Sequence, residues 1–83
     1  MNILVTGGLG FIGSNFILFT LKNYPKIKIT NVDAGLTGSN LMNLNEIKKS
    51  KKYKFVKSNI NNQKIINQLV SKNDLIVNFA AES

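Results

Sequence analysis

A glycine-rich turn near the amino terminus constrains this chain more than any other feature. The turn, Gly7-Gly8-Leu9-Gly10-Phe11-Ile12-Gly13, follows an apolar run over residues 2–6 that predicts a strand. It precedes a segment from Ser14 to Lys22 that predicts a helix. Unpaired N–H groups at a helix N-terminus favour an anion, and glycine lets the backbone approach a phosphate closely. Strand, turn and helix together therefore predict a phosphate-binding site.

The glycine spacing and a later acid extend this prediction to a dinucleotide. We expect Gly8 and Gly10 to tighten the turn and approach the ligand, and Gly13 to let the helix pack against the strand. Asp33 lies about 20 residues after Gly13, where a dinucleotide fold places the carboxylate that binds the adenosine ribose. The other interpretation is a tight turn that binds nothing, with Asp33 as a loop acid.

The rest of the chain alternates between strand and helix patterns. Further strands are predicted over 27–33, 53–57 and 75–81, and helices near 41–47 and 65–70. With right-handed crossovers, this order predicts an α/β fold: a Rossmann-type parallel sheet of order 3-2-1-4 with flanking helices. The fourth strand is apolar enough to be buried on both faces, yet here it would form an edge. We therefore expect an incomplete doubly wound domain, with residues 1–83 as the N-terminal part of a larger protein.

The composition narrows the classes of site and partner. The chain has no cysteine and no histidine, so we expect no disulfide and no metal site. An absence of cysteine suits the cytoplasm, and no apolar run is long enough for a membrane span, so we expect a cytoplasmic protein without a membrane partner.

The positive charge raises the question of nucleic acid. The net charge of +7 comes from eleven lysines with no arginine, and six of the lysines lie over residues 48–57. Arginine is the residue best suited to bidentate phosphate and base contacts. A solvated lysine face is therefore favoured over a nucleic-acid surface.

Three stretches carry a resemblance to a known family. The stretch from Val5 to Ser14 resembles the start of the extended short-chain dehydrogenase/reductases, which act on nucleotide sugars. Residues 33–44 and the closing run Phe79-Ala80-Ala81-Glu82-Ser83 resemble segments of the dTDP-glucose 4,6-dehydratase branch of that family.

The resemblance implies an NAD-dependent lyase acting on a nucleotide sugar. Such an enzyme oxidises the sugar at C4, eliminates water across C5–C6 and returns the hydride to C6, and we expect the full-length protein to be a homodimer. The implied cofactor contacts are Gly7, Gly10, Phe11, Ile12 and Gly13 at the pyrophosphate, Asp33 and Asn40 near the ribose, Asn59 and Ile60 at the adenine, and Ala80, Ala81 and Glu82 on the nicotinamide side.

The sequence departs from the family pattern at two places, and its charges favour one of the two nicotinamide cofactors. Asn59 stands where the family has an aspartate, and its amide oxygen could still accept a hydrogen bond from the adenine amino group. Leu36-Thr37 lies where an aromatic residue is often found. Asp33 would repel a 2′-phosphate and the chain has no arginine to receive one, so NAD is favoured over NADP.

The reaction centre is expected outside this chain. The family's chemistry rests on a Tyr-x-x-x-Lys pair, and two literal matches occur, at 24–28 and 53–57. Pro25 interrupts the first, and the second lies on a strand that leads toward the adenine side. We therefore assign no catalytic residue. The alternatives are the front end of another nucleotide-sugar epimerase or dehydratase, such as a UDP-glucose 4-epimerase, and a non-catalytic dinucleotide-binding module.

Overall fold

Strands and helices alternate along most of the chain. The structure, a computed structural model, describes residues 1–34, 44, 47, 49–59 and 61–79. Within these ranges the elements are β1 (Asn2–Thr6), α1 (Phe11–Asn23), β2 (Lys28–Asp33), β3 (Tyr53–Lys57), α2 (Gln63–Ser71) and β4 (Leu75–Asn78).

The four strands form one parallel sheet in the order β3-β2-β1-β4. In its register, Val5 of β1 pairs with Asn31 of β2 and Val77 of β4, and Asn31 pairs with Phe55 of β3. The predicted order 3-2-1-4 and the Rossmann-type architecture are confirmed.

Alternation along the strands separates two faces of the sheet. On one face, Ile3 and Ile29 pack with Ile17 and Leu21 of α1 in the hydrophobic core. On the other face, Leu4 is fully buried. The sheet is therefore covered on both sides at its centre, as a parallel sheet requires.

Helix α1 begins earlier than the sequence pattern predicted. It starts at Phe11 rather than Ser14, because the Ser14 N–H already donates to the Gly10 carbonyl over 2.9 Å. It ends at Asn23, one residue beyond the predicted segment, because Pro25 disfavours helical geometry at Tyr24.

The remaining connections include the cap of α2 and the segment predicted to form a helix near 41–47. Asn62 caps α2, because its Oδ1 accepts a hydrogen bond from the Ile65 N–H over 3.3 Å. The helix predicted near 41–47 lies mostly outside the described residues, although Leu44 is buried in the core and Ile47 packs against it. Neither helix in the described part of the chain has the length and hydrophobicity needed to cross a bilayer.

Strand β4 differs from its prediction in burial. Leu75 is 48% exposed and Ile76 is 47% exposed, so the expectation that this strand is buried on both faces is wrong for this chain. The reason is that, among the described strands, β4 pairs with β1 alone. The expectation that β4 forms an apolar edge of the sheet is confirmed. The strand ends at Asn78, and the predicted extension to residue 81 lies outside the described residues beyond Phe79.

Candidate cofactor-binding site

The glycine turn begins with a left-handed residue. Gly7 has φ of 74°, a conformation that L side chains rarely adopt. Its N–H donates to the Val32 carbonyl over 2.8 Å, and its own carbonyl accepts from the Gly10 N–H over 3.4 Å. The chain thus leaves β1 and reverses direction while staying attached to β2.

Two side chains of β2 hold the next two amides of the turn. Asn31 Oδ1 accepts from the Gly8 N–H over 2.9 Å, and Asp33 Oδ2 accepts from the Leu9 N–H over 3.0 Å. The two acceptors lie on the same face of β2, since residues two apart in a strand point the same way. With Val32, β2 therefore supplies an acceptor for three consecutive N–H groups.

In the first turn of α1, by contrast, the backbone N–H groups have no acceptor in the described part of the chain. Within the described ranges, the N–H groups of Phe11, Ile12 and Gly13 have no acceptor, and the first hydrogen bond of the helix is donated by Ser14. Gly10, the N-cap residue, contributes no side chain to satisfy them. Three adjacent donors therefore lie at the positive end of the helix dipole, an arrangement that suits a phosphate or pyrophosphate.

The space around the glycines supports a ligand at Gly10. A Cβ built at Gly10 would have the Gly7 carbonyl oxygen, at 3.8 Å, as its nearest non-neighbouring atom. A Cβ at Gly13 would lie 2.8 Å from both the Gly7 oxygen and the Gly8 Cα. Gly13 thus allows close packing of α1 as expected, but the surface that α1 approaches there is the turn at Gly7 and Gly8 rather than the strand.

The expected role of Gly8 is wrong. Gly8 is buried, and a Cβ there would overlap the Asn31 side chain and lie 2.6 Å from Ile17 Cδ1. Its missing side chain makes room for Asn31 and for α1 instead of for a ligand. Gly8 and Gly10, which the spacing treats alike, therefore serve different purposes.

Asn31 connects the turn to the core. It is fully buried, and its Nδ2 donates to the Tyr53 hydroxyl over 3.1 Å. Burial raises the pKa of Tyr53, and the charge of Asp33 adds to that rise while the hydrogen bond with Asn31 opposes it. Sequence reasoning missed this pair. The available signal was a polar residue inside β2, two positions before Asp33 and hence on the same face.

The site opens where the strand order reverses. The sequence order turns back between β1 and β4, and open α/β sheets bind ligands at the carboxyl ends of the strands at such a point. There the Thr6 hydroxyl donates to Asn78 Oδ1 over 2.6 Å, and the Phe79 N–H donates to the Thr6 carbonyl over 2.7 Å. The Phe79 ring contacts that of Phe16, with centroids 5.4 Å apart, which ties this end of β4 to α1.

The structure describes three of the other predicted contacts. Phe11 and Ile12 are 78% and 70% exposed beside the unpaired amides. Asn59, beyond the end of β3, is exposed, and its Oδ1 accepts from the Asn61 N–H over 2.8 Å. The remaining predicted contacts, Asn40, Ile60, Ala80, Ala81 and Glu82, lie outside the described residues.

A separate groove of about 300 Å³ lies at the opposite end of the sheet. Its lining includes the first residues of β1, β2 and β3 and five lysines: Lys28, Lys51, Lys52, Lys54 and Lys72. Lys51 and Lys54 are exposed, as a solvated lysine face requires. We assign no dinucleotide to this groove, because ligands of such sheets bind at the carboxyl ends of the strands.

Comparison with known proteins agrees with this geometry. The family described as GDP-mannose 4,6 dehydratase matches residues 4–83. The chain belongs to this family. Two relatives align with the whole chain: a low-salt glycan biosynthesis protein of Haloferax volcanii, 41% identical over 26% of its own length, and a dTDP-glucose 4,6-dehydratase of Streptomyces niveus, 39% identical over 26% of its own length.

Solved structures of related enzymes have the same fold. The dTDP-glucose 4,6-dehydratase of Bacillus anthracis, in complex with NAD, superposes with a TM-score of 0.91 and 48% identity over 99% of this chain and 27% of its own. A UDP-glucose 4-epimerase of Thermotoga maritima gives a TM-score of 0.78 and 29% identity over the whole chain and 25% of its own. The chain therefore spans about a quarter of the length of the family members it matches.

Replacing Gly8 and Gly10 by alanine should separate their roles. We expect Gly8→Ala to lower the free energy of unfolding by about 1–3 kcal/mol, because its methyl group overlaps Asn31 and Ile17. Gly10→Ala is the matched control, and its unfolding free energy should change little because its methyl group makes only an ordinary contact, 3.8 Å from the Gly7 oxygen. Urea denaturation measures both. Equal losses would contradict the assignment of Gly8 to internal packing.

The titration of Tyr53 should reveal its burial. In a Tyr24→Phe variant Tyr53 is the remaining tyrosine, so phenolate absorbance reports its ionisation alone. We expect a midpoint above the usual pKa of about 10 in the folded protein and a return to that value in urea. Because the folded pKa is raised, the stability linked to Tyr53 is fully present below pH 10 and is lost as the pH rises through the folded pKa. A folded midpoint at or below the urea value would contradict this placement.

Proposed function

We propose that this chain forms the NAD-binding part of a nucleotide-sugar 4,6-dehydratase that acts on dTDP-glucose. The observation that carries the proposal is the row of amides at Phe11, Ile12 and Gly13, which have no acceptor in the described part of the chain. They lie beside Gly10, where a Cβ would make only an ordinary contact, 3.8 Å from the Gly7 oxygen. These amides would bind the cofactor pyrophosphate. Asp33, at the carboxyl end of β2, would accept hydrogen bonds from the adenosine ribose.

The charges near the ribose position support NAD over NADP. Asp33 ends β2 and would repel a 2′-phosphate, and the chain has no arginine to receive one. Lys57 pairs in register with Asp33, so the negative charge at this position has a positive neighbour. NAD would supply a hydride acceptor to the reaction, and the residues of this chain would bind and orient it.

A dehydratase is the better supported of the two family reactions. The dTDP-glucose 4,6-dehydratase of Bacillus anthracis is the more similar structure in both identity and TM-score, at 48% and 0.91 against 29% and 0.78 for the epimerase. The side chain of Tyr53, one candidate from the two Tyr-x-x-x-Lys matches, is buried against Asn31 and so cannot reach a substrate. We therefore propose that the groups that protonate and deprotonate the sugar belong to the remaining three quarters of the family fold.

The proposal also includes a cellular location and an oligomeric state. We place it in the cytoplasm, since a chain without cysteine suits a reducing compartment. We also propose that the full-length protein is a homodimer, which the family resemblance supports.

The reaction can be tested with the native gene product. Incubation with dTDP-glucose should yield the 4-keto-6-deoxy sugar, detected by mass spectrometry as the loss of one water. UDP-glucose is the comparison substrate, because a 4-epimerase would give its C4 epimer at unchanged mass. Epimer formation would overturn the dehydratase assignment, and NAD binding without either product would favour a non-catalytic dinucleotide-binding module.

Neutralising Asp33 should narrow the preference for NAD over NADP. Asp33→Asn keeps an oxygen for the Leu9 N–H but removes the charge that repels a 2′-phosphate, leaving Lys57 to attract it. We expect the dissociation constant of NADP divided by that of NAD, both measured by calorimetry, to fall about tenfold. Lys57→Asn is the control and should leave the NAD preference in place. An unchanged ratio in Asp33→Asn would show that Asp33 does not face the ribose.

A further inference from the structure

We propose that Asn31 is a positioning residue of the cofactor site, which sets the path of the glycine turn without touching the ligand. The inference rests on the proposed NAD-binding function. Its basis is the hydrogen bond from the Gly8 N–H to Asn31 Oδ1, 2.9 Å long and fully shielded from solvent.

The hydrogen bonds of Asn31 leave its amide one chemically sensible orientation. The Gly8 N–H can only donate, so the oxygen of the Asn31 side chain must face it. The amide nitrogen then faces the Tyr53 hydroxyl, which accepts over 3.1 Å. Within the described part of the chain no buried side-chain polar atom lacks a partner, so both ends of Asn31 are satisfied. A buried side chain held at both ends is a rigid support for the turn.

Gly8, which Asn31 holds, is in contact with the first turn of α1. The Gly8 Cα would lie 2.8 Å from a Cβ at Gly13, so the turn and the first turn of α1 are in close contact. A displacement of Gly8 must therefore move the start of α1 or be absorbed there. This contact therefore helps to set the positions of the Phe11, Ile12 and Gly13 amides, which have no acceptor in the described residues.

A pair of substitutions distinguishes positioning from mere stabilisation. Asn31→Leu removes the acceptor for Gly8, whereas Tyr53→Phe removes only the hydroxyl and leaves that acceptor in place. Both should lower the stability measured by urea denaturation, because each leaves a buried polar group unpaired. For NAD, measured by calorimetry, we expect the dissociation constant to rise about tenfold in Asn31→Leu and to stay within about twofold in Tyr53→Phe.

The outcomes separate this inference from the proposed function. If the unmodified protein fails to bind NAD, the proposed function is overturned and the positioning role with it. If the unmodified protein binds NAD and both variants lose affinity equally, or neither does, Asn31 is a structural residue only. Should Asn31→Leu not fold, Asn31→Ala takes its place, because it also removes the acceptor and introduces no extra bulk. A loss of affinity in that variant beyond the loss in Tyr53→Phe supports the inference.

Discussion

The structure depends on the way that β2 holds the glycine turn. Three consecutive amides, from Gly7 to Leu9, donate to a backbone carbonyl and two side chains of β2. Buried backbone donors must be paired, so this strand largely determines where the turn can lie. Within the turn and the first turn of α1, the amides without an acceptor among the described residues are those of Phe11, Ile12 and Gly13, an arrangement that suits an anion. The internally bonded amides and the proposed ligand-binding amides thus lie in different parts of one short segment.

The sheet order then gives this segment its location. With β1 in the interior of the sheet and β4 on the side opposite β2, the carboxyl end of β1 opens into the crevice where the order reverses. The contact between Phe16 and Phe79 ties α1 to the far side of that crevice. Asp33 lies on the near side, where it accepts from the Leu9 N–H and ends β2 at the position proposed for the ribose.

The sequence was sufficient for the fold. Strand composition and glycine spacing predicted the parallel order correctly, because these features depend on local backbone chemistry, whereas α1 begins three residues before its predicted start. The sequence did not predict that Gly8 makes room for neighbouring side chains, or that Asn31 accepts a hydrogen bond from the turn. Whether a glycine faces a ligand or a neighbouring side chain depends on tertiary packing, and the G-x-G-x-x-G pattern is the same in both cases. The burial of β4 was predicted wrongly for a similar reason, since Leu75 and Ile76 are apolar but have no second neighbouring strand among the described residues.

The most direct test of this account is a titration with NAD followed by ¹H–¹⁵N NMR. We expect the amide signals of Phe11, Ile12 and Gly13 to shift on binding, since these donors have no acceptor in the described part of the chain. The Gly8 amide should exchange slowly with solvent before and after NAD is added, because Asn31 holds it. Rapid exchange at Gly8, or a binding response confined to residues outside the start of α1, would contradict the division between held and open amides.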